Sequence, residues 1–274
     1  MRQFKTKGFL SLSYRTNLKT VKDTDDALTK MLLMVIEAGW TLQHELEVDH
    51  NNLEQVHSVT LYSRIVNSIQ AAHLLAVYGL GVQSSNQCRA AMECLFQLAA
   101  LNNKKELFPR LMLSAMENSL RYAKTKRCHK SQNMNFSHAQ LAADDLEIDE
   151  LQKRIDVLMS KGIMPLSKIK PLAEEADMIY WYELMYQRLS WDTHSSLESL
   201  QEHVHIGDDG EISHVINEPN FRNFSSNTYC SLKVICRAIQ EVYKAVGETP
   251  SAALDSYIKK LDELRFDESI FQAH

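Results

Sequence analysis

Glycine and proline are scarce in this chain, with 8 Gly and 5 Pro among 274 residues. These are the residues that most strongly interrupt helices, so their scarcity commits the chain to long helical stretches. The apolar residues agree. Leu28, Met31, Leu32, Val35, Ile36 and Trp40 recur at three- and four-residue intervals, which places them on one helical face. That run predicts a helix from Asp23–Thr24, where Asp and Thr offer N-caps, to about Glu47.

The same reasoning predicts helices from Asn51–Asn52 to Leu80, from Ser85 to Asn102 with Ser84 and Ser85 as the cap, and from Lys105 to Lys126. The polar stretch 127–142 reads as the longest loop. Further helices are expected over Asp144–Lys161, Ala173–Glu202, Phe224–Val246 and Ser251–Phe271. Residues 204–215 differ: two short alternating runs flank Gly207-Asp208-Asp209-Gly210, the signature of a β-hairpin. The expected fold is all-α, a multi-helix bundle of about eight helices with one small β-hairpin. Residues 1–21 form a basic N-terminal arm and 22–274 a single helical domain.

The chain is long enough to bury a core without disulfides or a structural metal. Its five cysteines (Cys88, Cys94, Cys128, Cys230, Cys236) include no CxxC pair and read as reduced, mostly buried thiols. No stretch is long and apolar enough for a membrane span, and the basic start lacks the apolar run of a signal peptide. The expected localisation is cytoplasmic, with no membrane partner.

A formal net charge of −5 hides an asymmetry. Residues 1–22 carry Arg2, Lys5, Lys7, Arg15, Lys19 and Lys22 with no acid, and 121–130 carry Arg121, Lys124, Lys126, Arg127 and Lys130 with no acid. Such patches can meet nucleic-acid phosphates, which makes Lys124, Lys126, Arg127 and Lys130 candidate nucleic-acid contacts. They can equally meet acidic faces of the same protein or of a partner chain.

Two polar pairs stand out. Arg89 and Glu93 are four residues apart, on one face of an alanine-rich helix, among core-like neighbours. Ser190 and His194 repeat that spacing downstream, with Tyr186 and Glu198 on the same line. An imidazole there can act as acid or base. A Ser–His nucleophile further requires an oxyanion donor, and none is visible in the sequence. Either pair can also be an ordinary structural contact in a helix–helix network.

The segment Arg89-Ala-Ala-Met-Glu93, followed far downstream by Ser190-Trp-Asp-Thr-His194, resembles a widespread helical prokaryotic family known as a domain of unknown function. Its pattern is an Arg-x-x-x-Glu helix and a Ser-x-x-x-His helix, here over roughly 55–245. The resemblance implies that Arg89, Glu93, Ser190 and His194 form one interhelical cluster. A second resemblance is to HEPN ribonucleases, helical and usually dimeric proteins of toxin–antitoxin and phage-defence systems, marked by an Arg followed by four to six residues and a His. Arg188 and His194 fit that spacing. Leu189 stands where a polar residue commonly follows the Arg, and positions six apart on a straight helix point about 120° away from each other. The HEPN resemblance implies metal-independent RNA cleavage, with His194 moving protons and Arg188 or Arg89 stabilising the phosphorane charge.

Glu54-x-x-His57 and Glu202-x-x-His205 match the Glu-x-x-His of di-iron bundles, but both lie near expected helix ends rather than mid-bundle. No cofactor and no metal is expected. Phosphate loops, a nucleophile elbow and a Rossmann pattern are missing from the sequence. The resulting expectation is a toxin- or phage-defence-type protein cleaving RNA through His194, Arg188, Arg89, Glu93 and Ser190, with a homodimer and a regulatory protein as further partners. The alternative is a non-catalytic partner-binding protein in which the polar cluster is structural.

Overall fold

The computed structural model describes residues 27–132, 136–166, 168–193, 203–207, 211–215 and 218–249. The helices are α1 (Ala27–Glu45), α2 (Leu53–Val77), α3 (Gly81–Asn103), α4 (Leu107–Ser131), α5 (His138–Ser160) and α6 (Ile169–Glu175). Next comes α7, a continuous run over 179–193 in three pieces: α-helical Ile179–Trp181, π-helical Tyr182–Tyr186 and α-helical Gln187–Thr193. The hairpin strands β1 (Val204–Ile206) and β2 (Ile212–Val215) precede α8 (Phe224–Val246). The all-α bundle with one small hairpin is therefore observed. The hairpin is antiparallel, pairs Val204 with Val215 and carries a bulge between His205 and Ile206. The basic arm and the expected helix over Ser251–Phe271 lie outside the described residues.

The core is built where α2, α3 and α8 pack on one another, with α1 laid against α8. Tyr62, Ile65 and Ile69 of α2, Met92, Leu95 and Phe96 of α3, and Leu232, Ile235 and Ile239 of α8 are completely buried. Their three- and four-residue spacing turns one face of each helix inward. Each large apolar side chain so buried contributes about 1.5–3 kcal/mol. The one hydroxyl in this group is satisfied: Tyr62 donates to the Gly39 carbonyl at 2.9 Å. A Cβ on Gly39 would come within 3.1 Å of that hydroxyl, so glycine lets α1 approach.

Three local differences from the sequence reading have physical causes. First, α3 starts at Gly81, and Ser84 and Ser85 are buried inside it rather than capping it. Their hydroxyls tie helices together, Ser84 donating to the Ala72 carbonyl at 2.8 Å and Ser85 meeting the Asn227 side chain at 3.1 Å. The chain turns from α2 into α3 at Gly79, whose φ of +74° suits glycine.

Second, α4 runs on to Ser131 and α5 begins at His138, so both ends of the expected loop 127–142 are helical. A capping box starts α5: Ser137 accepts from the Gln140 amide while Gln140 accepts from the Ser137 amide. The two helices form an antiparallel hairpin with its own small core of Leu113, Leu120 and Ile155.

Third, the helix expected over Ala173–Glu202 is broken at 176–178. Asp177 adopts φ +55°, a left-handed conformation. The Met178 amide reaches back to the Ala173 carbonyl (2.8 Å) and the Asp177 amide to Glu174 (3.1 Å). This is a Schellman cap made without glycine, and Asp is one of the few other residues that tolerates it. The Asn103 side chain holds the cap from α3, donating to the Glu175 carbonyl at 3.0 Å and to the Asp177 carboxylate at 3.3 Å.

Candidate functional site

The polar residues of α3 meet α7 at its π-helical turn. A π turn inserts one extra residue and re-aims the side chains around it, a device common at functional sites. Here it sets Tyr186 against α3. The Tyr186 hydroxyl donates to Glu93 Oε1 at 2.7 Å. Arg89 Nε donates to the same Glu93 oxygen at 3.1 Å and to the Tyr186 oxygen at 3.2 Å. The result is a closed triangle of guanidinium, carboxylate and phenol. Both Arg89 contacts are made through Nε, and a guanidinium carries four further N–H donors. Arg89 and Glu93 side chains are 19% and 31% exposed, so the triangle sits at the bundle surface rather than within its dry core.

The Tyr186 ring is held from both sides. It stacks on Tyr182 at 5.2 Å between centroids and meets Phe96 edge-on at 6.0 Å. Burial pushes its phenol above the ordinary tyrosine pKa. The hydrogen bond to Glu93 pushes the same way, and Arg89 opposes both. At neutral pH Tyr186 is a protonated donor.

Beside the triangle lies an open cleft of about 690 Å³. Arg89, Tyr182, Tyr186, Gln187, Ser190 and Trp191 line one side, and Lys168, Lys170, Pro171 and Glu174, at and before α6, line the other. Three cations and three aromatic side chains thus border one space. Trp191 is 47% exposed, with the Arg188 guanidinium over its ring at 5.4 Å.

The sequence candidates are distributed as follows. Arg89, Glu93 and Ser190 come together around Tyr186. Ser190 donates its hydroxyl to the Tyr186 carbonyl at 2.8 Å, a contact within its own helix. Arg188 stacks on Trp191 and does not line the cleft. His194, Glu198 and Glu202 lie outside the described residues. Sequence reasoning missed Lys168, Lys170, Tyr182 and Trp191. The Lys-x-Lys-Pro at 168–171 was the available signal, but nothing in it pointed toward α3.

The basic residues of α4 face the acids of α5. Arg127 grips Asp145 through two bonds of 2.8 and 3.1 Å. Lys126 and Lys130 both reach Asp144 (3.1 and 2.8 Å), and Lys124 donates to Gln152 at 3.3 Å. Lys130, then Lys126, hold the Asp144 carboxyl below its ordinary pKa against the opposing effect of desolvation. Each of the four candidate nucleic-acid contacts therefore already has a partner within the α4–α5 hairpin.

Cys88, Cys94, Cys230 and Cys236 are buried free thiols and Cys128 is exposed. Burial raises the Cys88 and Cys94 thiols to about 11, far from thiolate character at neutral pH. Among the described residues, no three His, Cys, Asp or Glu side chains are grouped to hold a metal ion, and no helix is long and apolar enough to cross a membrane.

No curated protein and no solved structure matches the chain. A family model does match, over residues 55–212, more than half of the chain. That span runs from α2 to the start of β2 and holds both the Arg89–Glu93–Tyr186 triangle and the cleft beside it. The chain belongs to the family of unknown function DUF5677.

Proposed function

We propose that this protein binds RNA in the cleft beside Arg89 and Tyr186 and cleaves it without a metal, in a toxin or phage-defence role of the HEPN type. The observation that carries this reading is the lining of the cleft. Arg89, Lys168 and Lys170 supply positive charge for a phosphate backbone. Tyr182 and Trp191 supply faces on which unpaired bases stack, the pairing that single-stranded nucleic-acid sites use. His194 follows Ser190 by four residues on the same line of the sequence.

In the proposed reaction the RNA 2′-oxygen bonds to the adjacent phosphorus and the bond to the 5′-oxygen breaks. The 2′-hydroxyl proton passes to a base and the departing oxygen takes one up, leaving a 2′,3′-cyclic phosphate and a 5′-hydroxyl. His194 serves as one of these proton-transfer groups, and Arg89 stabilises the charge on the phosphorane. Ser190 is a positioning residue, since the attacking oxygen belongs to the RNA. A homodimer and a regulatory protein partner belong to the same reading, and sedimentation velocity tests the first.

A second reading has its own support. Arg89, Glu93 and Tyr186 each bond the other two, and the basic face of α4 is paired with the acids of α5. This mutual bonding, rather than full satisfaction of each member, and the paired α4 face suit a non-catalytic, partner-binding helical protein with a structural polar cluster. Expression in cells separates the two. Under the RNA reading the wild type arrests growth, and a folded His194→Ala variant does not. Toxicity retained in that variant removes His194 from the mechanism. Under the second reading His194→Ala lowers the melting temperature and leaves partner capture intact.

A further inference from the structure

The cleft beside Arg89 and Tyr186 holds one group that works against a phosphate. Among the described residues lining it, Glu174 is the only carboxylate, set beside the cations Arg89, Lys168 and Lys170. The adjacent acid, Glu175, is bridged to Lys104. The Glu174 carboxylate, by contrast, has no hydrogen-bond or ion-pair partner among the described residues. Lys170 stands four residues earlier on α6, so the two side chains leave the helix on one face, and both border the cleft. Even so, they are not joined in an ion pair. A carboxylate left unpaired in this space repels a phosphate backbone and weakens the field of the three cations. A ligand that brings hydrogen-bond donors as well as a phosphate removes that conflict.

In single-stranded RNA the donors that remain available are those on the Watson–Crick edges of the bases. An ionised carboxylate only accepts, through two oxygens side by side. Guanine alone presents two adjacent donors, N1–H and the 2-amino group, with the spacing that a carboxylate takes as a fork. Adenine and cytosine set a ring-nitrogen acceptor beside their amino donor. Uracil has one N–H between two carbonyl oxygens. Each of these three brings at least one acceptor against the carboxylate.

We propose that Glu174 makes the cleft selective for guanine, its two carboxylate oxygens accepting from N1–H and the 2-amino group of the base. The inference rests on the RNA reading of the same cleft and names the base that the cleft takes. Lys168, Lys170 and Arg89 hold the backbone, the aromatic side chains hold the base plane, and Glu174 reads its edge.

The test measures binding apart from cleavage. The probes are four 2′-fluoro RNA hexamers, each of five uridines and one guanosine, inosine, adenosine or cytidine. Fluorine replaces the attacking hydroxyl, so none can be cleaved through it. Fluorescence anisotropy with the full chain should show the guanosine hexamer bound about tenfold tighter than the adenosine and cytidine ones, as one bidentate base contact implies. Inosine, which lacks the 2-amino group, should fall between. Glu174 is exposed, so its replacement leaves the core intact. Glu174→Gln turns one of the two acceptors into a donor and should cut the guanosine advantage to less than about threefold at an unchanged melting temperature; Glu174→Ala, with no acceptor, should do the same. Equal binding of all four hexamers by the wild type overturns guanine selectivity and leaves the RNA reading standing. Binding of none overturns both. A guanosine advantage that survives in folded Glu174→Gln and Glu174→Ala overturns the role of Glu174.

Discussion

Replacing Tyr186 by phenylalanine removes one oxygen from the centre of the polar cluster and little else. The ring keeps its stack on Tyr182 and its edge contact with Phe96, so no cavity opens. Two bonds to charged groups are lost, the donation to Glu93 at 2.7 Å and the acceptance from Arg89 at 3.2 Å. Hydrogen bonds to charged groups contribute about 1.5–3 kcal/mol each. Glu93 is partly exposed and keeps its bond to Arg89, so water compensates for part of the loss. The expected destabilisation is about 1.5 kcal/mol, or a melting point lower by roughly 3–6 °C for a chain of this size. A cycle with Glu93→Gln should show a coupling energy of about 1 kcal/mol. The same variant reports on pH. The Tyr186 phenol ionises above the ordinary tyrosine value in the folded state, while in the unfolded chain it ionises at about 10. Between those values the unfolded state has released a proton that the folded state keeps, so stability falls as pH rises. The stability gap between wild type and Tyr186→Phe should stay constant from about pH 7 to 9 and narrow above about 10. Taking the difference cancels the other raised tyrosines, Tyr62 and Tyr243. Chemical denaturation across pH measures both effects. A loss below about 0.5 kcal/mol, within the scatter of neutral surface changes, or a gap that does not respond to pH, would refute this reasoning.

Other substitutions probe the frame. Gly79→Ala forces a side chain into φ +74° and brings its Cβ to 2.5 Å from Pro219 Cβ; a loss of about 2–3 kcal/mol is expected in thermal melts, and one under about 1 kcal/mol would mean the turn yields easily. Asp144 is held below its ordinary pKa by Lys130 and Lys126, so its contribution is present above about pH 4 and lost as pH falls through the folded value. Hydrogen exchange should show the α4–α5 hairpin loosening in acid before the α2–α3–α8 core, and Asp144→Asn should reproduce that loosening at neutral pH; unchanged protection would contradict it. Ser190→Ala removes a bond made within its own helix; stability should stay within about 0.5 kcal/mol, and RNA cleavage should fall less than tenfold. A larger loss of cleavage in the folded variant would make Ser190 more than a positioning residue.

Local patterns carried much of the fold. The span Phe224–Val246 is readable from its apolar spacing alone, and α2 announces itself through Asn52, whose side chain caps it by accepting from the Gln55 amide at 3.1 Å. What failed to read locally is what tertiary contacts decide. Residues 127–142 look like a loop because they are polar, yet their charges are a helix–helix interface: Arg127 and Lys130 find Asp145 and Asp144 across the hairpin. The break at Asp177 hides because its left-handed cap uses no glycine. The Arg89–Glu93 pair was visible from its spacing on one helix. Its tie to Tyr186, 97 residues from Arg89, arises only when α7 is laid against α3. The cleft lysines at 168 and 170 likewise become part of a site only through the fold.

We propose that the cleft beside the Arg89–Glu93–Tyr186 triangle serves metal-independent RNA cleavage. Its most direct measurement is the chemistry of the product ends after purified protein meets a defined single-stranded RNA in the presence of a metal chelator. The expected products are 2′,3′-cyclic phosphate and 5′-hydroxyl ends from the wild type, and intact RNA from a His194→Ala variant of unchanged melting temperature. Intact RNA with the wild type, or the same ends at the same rate from folded His194→Ala, would contradict it.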